Sequence, residues 1–166
     1  MRAGEKGEHM INGAHIHLMV NHFPVVGIVF IILLFLYGLA RGSEEIKKVS
    51  LGAFVLLALM TVAVYLTGDG AVKTVKNLPG VTEAFIGRHE EMAGLSLVLI
   101  VTLGIACGAG LIFFRRSAAI PKWFIALVLV LSFSASAVVG FTANLGGQIR
   151  HTEIRDAASS PAAPNP

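Results

Sequence analysis

The chain has 166 residues, of which 55% are hydrophobic and only 14% charged, and its mean hydropathy is +0.76. A soluble domain carries roughly 25% charge, so this chain cannot cover a water-facing surface, and a disordered chain or a coiled coil is excluded with it. The single cysteine, Cys107, rules out an intrachain disulfide, and although the pI is near 9.3, the basic residues form no single face for nucleic acid.

Residues 1–16 read as a polar-mixed N-terminal segment. Four stretches then lack any charge: Phe23 to Ala40, Val49 to Leu66, Met92 to Phe114 and Trp123 to Leu145. Roughly 20 apolar residues cross a hydrocarbon core as a helix, which predicts transmembrane spans at about 23–41, 49–67, 89–114 and 121–147. No small-residue cleavage site follows the first stretch, so it reads as a span and not as a signal peptide. Pro24 suits a first helical turn, and Phe23 before it is biased away from the helical region. The first span is therefore expected to begin at Pro24, with His22 just outside.

Spans one and two are joined by 41–48, and spans three and four by 115–122. Such short joints make antiparallel neighbours. The middle connection, 68–88, holds Gly68, Gly70, Pro79 and Gly80 and has room for a short interfacial helix. The tail, 152–166, is rich in Ala, Ser and Pro and is expected to be disordered. The fold expected over 17–151 is an all-α membrane protein, a four-helix up-down-up-down bundle in a lipid bilayer.

The two short joints share one side of the membrane. That side carries Arg41, Lys47, Lys48, Arg115, Arg116 and Lys122 against Glu44 and Glu45. The other side carries both termini and the middle loop, with a small acidic excess. Short positive loops stay in the cytoplasm. The expectation is a multi-pass protein of a bacterial inner membrane with both termini periplasmic.

All six histidines, His9, His15, His17, His22, His89 and His151, fall on that outer side. His17 and His22 stand at the entry of span one, His89 at the entry of span three, and His151 past the end of span four. In span four, Gly140, Asn144, Gly147 and His151 recur at helical spacing, a face without bulky side chains that ends in an imidazole. In span three, His89, Ala93, Ser96 and Ile100 share a face. Glycines permit close approach of a flat group. His17 and His22 are about 140° apart on a continuous helix, so both face one site only if the helix breaks.

Three readings of this set compete. Imidazoles on facing helices with an apolar slot between them suit b-type haem, one or two per chain. Imidazoles with Met10, Met19 and Met92 nearby suit Cu or Zn, which would make the chain a metal-binding or transport subunit without haem. Interfacial histidines also serve as plain hydrogen-bonding groups, and quinone or proton handling is a further use. Gly104 and Gly108 read as close helix packing, and Cys107 as a small apolar core residue. No phosphate-cradling loop, Cys-x-x-Cys-His or Ser/His/Asp set is present, so an electron carrier is expected rather than an independent enzyme.

His17-Leu-Met-Val-Asn-His22-Phe-Pro24 resembles the His-x4-His-Phe-Pro entry of a bacterial four-helix membrane family catalogued as a domain of unknown function. Thr67-Gly68, Arg88-His89 and Gly146-Gly147-Gln-Ile-Arg-His151 resemble that family's landmarks at the end of span two, the start of span three and the exit of span four. The likeness covers about residues 15–151. This chain departs from the family in having Leu18 after the first histidine and a longer middle segment. The resemblance implies a cytochrome-b-like, haem b-binding electron-transfer subunit. Its haem ligands would come from His17, His22, His89 and His151. The resemblance implies a c-type cytochrome or iron–sulfur subunit as partner and no specific donor; the cytochrome reading of the histidine set itself expects the quinone pool or a membrane partner on the other side. His22 with His89 is the expected first pair.

Overall fold

The computed structural model describes residues 13–155. It is all-helical, with no strand among the described residues. The elements are α1 (Gly13–Val20), α2 (His22–Ala40), α3 (Glu44–Leu66), α4 (Gly68–Val75), α5 (Glu83–Phe114) and α6 (Lys122–Arg150), followed by a 3-10 turn at Thr152–Ile154. Four helical stretches are long and apolar enough to cross a membrane: Ala14–Ala40, Glu44–Val75, Glu83–Phe114 and Lys122–Arg150. They form a four-helix bundle.

Around the bundle the order is α2, α3, α5, α6, each packed on the next and α6 closing on α2. Helices α2 and α5 are therefore diagonal. The core holds Ile28, Phe35, Leu51, Phe54, Ile100 and Val128, all almost completely buried. Phe35 and Phe54 meet edge to face at 6.5 Å. The outer faces are as apolar as the inner ones, with Phe30, Leu59, Ile105, Ile112 and Val130 exposed. Patches of this extent in water would drive association, whereas in a bilayer they are solvated by lipid.

The first span begins differently from the sequence expectation. Helical structure starts at Gly13 and is interrupted at Asn21, and Phe23 is already helical. Pro24 has no N–H to give the Val20 carbonyl, one turn back, so the ladder breaks there and not at Pro24 itself. Asn21 keeps a helical backbone, and its N–H bonds the His17 carbonyl at 2.9 Å. The interruption is a joint and not a stop.

At the end with the short joints, Gly42 takes φ +62°, and Ser43 caps α3 by accepting the Ile46 N–H at 3.3 Å. Gly38 lies against Ile46 and the Lys47 backbone, which lets α2 and α3 close tightly. The ammonium of buried Lys47 pairs with Glu44, whose other oxygen accepts the Ile120 N–H at 3.0 Å. One carboxylate thus ties α3 to the α5–α6 joint. The middle connection contains α4, and α1 packs on it. That contact brings the N-terminal histidines to the end of α3.

Candidate histidine site

The end of the bundle opposite the two short joints gathers α1, α4, the start of α5 and the end of α6. Half-buried His17 extends from α1 to the end of α3, where its Nδ1 lies 2.9 Å from Thr67 Oγ1. The Thr67 hydroxyl gives its own proton to the Val64 carbonyl at 2.6 Å. It therefore accepts from His17, and Nδ1 carries the imidazole proton.

His89 is also half-buried and crosses from α5 to α6. Its Nδ1 donates to the Thr142 carbonyl at 3.1 Å. The Thr142 hydroxyl meets Ser96 Oγ at 2.9 Å, the Val138 carbonyl at 2.8 Å and the Met92 carbonyl at 3.1 Å. These bonds tie α5 to α6 directly beneath the imidazole. Gly146 lies under the ring: a Cβ there would stand 3.1 Å from His89 Cε1 and 3.2 Å from Nδ1.

His22 and His151 are placed otherwise. His22 is exposed, and its Nδ1 donates to the Leu18 carbonyl at 3.3 Å. His151 is 63% exposed, and its Nδ1 meets Glu153 Oε1 at 2.8 Å. The Glu153 carboxyl is held below its ordinary pKa by its own backbone N–H and by His151. Of the small-residue face of span four, Gly140 and Asn144 are exposed, and Asn144 Oδ1 accepts from Gln148 Nε2 at 2.8 Å. Gly147 faces Ile154 at the chain's return, its Cβ position 3.2 Å from that side chain. His15 is exposed. His9 and Met10 lie outside the described residues.

The four histidines share one property. A carbonyl or carboxylate only accepts, and the Thr67 proton is already committed, so each Nδ1 is a donor. In the neutral imidazole the other nitrogen then holds the lone pair. Each ring offers Nε2, and the partner of Nδ1 fixes the tautomer as outer-shell groups do for metal-bound histidines. Among the described residues no three His, Cys, Asp or Glu side chains converge. Structural zinc needs four protein ligands and catalytic zinc three, whereas a bis-imidazole haem needs two.

Among the described residues one buried acceptor is left over. Asn21 Oδ1, at the α1–α2 joint between His17 and His22, is buried without a hydrogen-bond partner. Such an atom costs roughly 1–3 kcal/mol unless something donates to it. The donor set and this orphaned oxygen fit a polar-edged ligand held by imidazole.

Thr67 carries part of this site within the Thr-Gly landmark already visible in the sequence. Thr142 had no comparable signal, because a lone threonine in an apolar span most often bonds only its own helix. Comparison with protein-family models, curated proteins and solved structures finds no match to this chain. The family likeness therefore rests on the quoted motifs.

Proposed function

We propose that this protein is a membrane-bound electron-transfer subunit that holds b-type haem through histidine Nε2 atoms at the outer end of its bundle. The observation that carries the reading is the fixed tautomer of His89: its Nδ1–H is spent on the Thr142 carbonyl, 3.1 Å away. That leaves the Nε2 lone pair available in a half-buried position. His17, held in the same way by Thr67, is the other half-buried imidazole, with His22 and His151 as further candidate ligands. Bound haem supplies one-electron exchange at iron. The chain's own residues orient the imidazoles, exclude water from their inner side and offer Asn21 Oδ1 to a ligand donor.

Under this reading the subunit relays electrons as a carrier within a redox complex. Its partners under this reading are a quinol or membrane donor and a periplasmic c-type cytochrome or iron–sulfur subunit, in a bacterial inner membrane with both termini outside. The test is the reduced-minus-oxidised visible spectrum of the purified full chain. A Soret and α band with haem near stoichiometry supports the reading. Stoichiometric Cu or Zn without those bands replaces it with the metal-ion reading, and neither haem nor metal rejects both.

A further inference from the structure

The end of the bundle away from the histidines carries five cations: Arg41, Lys48, Arg115, Arg116 and Lys122. Among the described residues none of them forms a salt bridge. Lys47, one position before Lys48, shows the contrast. It is buried, and Glu44 neutralises it. The second oxygen of Glu44 is taken by the Ile120 N–H, so that carboxylate is committed.

Lys48 points the other way. Its Nζ donates to the Arg115 and Ser117 carbonyls, each at 3.3 Å. The ammonium is therefore held against the turn that carries Arg115 and Arg116, both exposed. Three like charges share this turn; the Glu44 carboxylate feels Lys48 from a distance, but among the described residues no carboxylate forms an ion pair with Lys48, Arg115 or Arg116, so an outside anion is favoured there.

Nearby aromatics fix the depth of this turn. Trp123 and Phe113 are 64% and 78% exposed, while Phe114 and Phe124 pack edge-on to Trp123 at 6.3 and 5.6 Å. An exposed tryptophan at the end of a span marks the headgroup level of the bilayer. The cation cluster thus stands where lipid phosphates lie, at the height where basic loops recognise anionic headgroups.

We propose that Lys48, Arg115 and Arg116 form a binding site for the phosphate of an anionic phospholipid, with Trp123 flanking its acyl boundary. Lys48 is the fixed member, because two carbonyls hold it. The arginines supply forked donors that suit phosphate oxygens. Lys122 adds charge at the rim.

Trp123 is the only tryptophan in the chain and stands beside this site, so it serves as the reporter. The full chain is reconstituted in bilayers of phosphatidylcholine doped with brominated phosphatidylglycerol or, separately, brominated phosphatidylcholine at equal mole fraction. Stronger quenching of Trp123 by the anionic lipid is expected. R116Q should lower that preference about fivefold, and K48Q/R115Q/R116Q should remove it. Helical circular dichroism and the unquenched emission maximum check that each variant is folded. Should the triple variant not fold, the wild-type comparison and R116Q decide. Equal quenching by the two lipids in the wild type overturns the proposal, as does a preference unchanged in R116Q. Sodium phosphate that abolishes the preference where sodium chloride of equal ionic strength does not would assign the site to free phosphate and overturn the lipid assignment.

Discussion

The backbone of Gly146 supports the face of the His89 imidazole so closely that a Cβ there would meet Cε1 at 3.1 Å and Nδ1 at 3.2 Å. The same ring gives its Nδ1 proton to the Thr142 carbonyl, one turn earlier on α6. The absence of a side chain at 146 and the position of the His89 ring are therefore one structural fact.

Gly146→Ala should displace the imidazole by a few tenths of an ångström and strain its bond to Thr142. Helix propensity acts in the opposite direction, favouring alanine by up to about 1 kcal/mol, so global stability should change little. Under the haem reading, occupancy or the α-band position should change while helical content does not. Gly140→Ala is the control, because nothing lies within 4 Å of its Cβ position. Equal spectra for the two variants would detach Gly146 from the site.

Under the same haem reading, His89→Ala should abolish or severely reduce haem occupancy, since it removes the half-buried Nε2 whose ring is held by the Thr142 carbonyl. His9→Ala, outside the described residues, should leave occupancy intact. His151→Ala separates two arrangements: its 63% exposure and its bond to Glu153 lead us to expect a small effect. Loss of haem in His151→Ala alone would make span four the true partner, and the Gly140, Asn144 and Gly147 face would then line the porphyrin. Haemochrome quantitation of the purified variants distinguishes these outcomes.

The four spans could be read from charge-free stretches because a helix crossing lipid needs a continuous apolar run of about 20 residues. The ends were less legible. Helix α5 begins at Glu83, nine residues before the charge-free stretch starts at Met92, because a helix continues past the hydrocarbon into water that tolerates Glu90 and Glu91. In span three, spacing groups His89, Ala93, Ser96 and Ile100, of which Ser96 and Ile100 are buried and His89 and Ala93 half-buried. In span four the inward residues are Val128, Ser132, Ala135 and Val139, continuing to Thr142 and Gly146. Adjacent helical positions differ by about 100°, so choosing between Gly146 and Gly147 as the ring's neighbour needs a rotation that small residues alone do not fix.

Gly110 lies against the Phe124 ring, which a Cβ would overlap. The ring is itself packed on Phe114 at 5.2 Å and on Trp123 at 5.6 Å, so it has little freedom to turn away. Gly110→Ala should destabilise the bundle by about 1–3 kcal/mol. Gly108→Ala, with Val55 at an ordinary 3.6 Å, should be near neutral. Denaturant unfolding in detergent, followed by circular dichroism, reads the difference, and equal midpoints would refute the overlap.

Orientation is checked separately. A periplasm-active reporter fused after Pro166 should be active, and a cytoplasm-active one silent, because the dense positive charge lies in the two short joints. The reverse pattern would invert the bundle without altering its four spans.

Arg155 closes the histidine end from the far side of α6. Its Nε donates to the Gln148 carbonyl at 2.7 Å and its Nη2 to the Ile149 carbonyl at 3.0 Å. These carbonyls belong to the last turn of the helix, where no further N–H continues the ladder. The guanidinium also lies 4.3 Å above the Phe85 ring, which anchors the end of α6 to the start of α5, one turn before His89. Charged hydrogen bonds of this kind contribute roughly 1.5–3 kcal/mol. We expect Arg155→Ala to cost about 2 kcal/mol, fraying Gln148 to Arg150 before the rest of α6. Arg155→Lys should restore little, because an ammonium cannot reach two carbonyls in a fork and stack on a ring at once. Hydrogen exchange resolved along α6 tests this directly. Faster exchange confined to the last turn, with the 128–139 segment unchanged, is the expected result. Full protection in Arg155→Ala, or full rescue by lysine, would show that the last turn of α6 is held without the guanidinium.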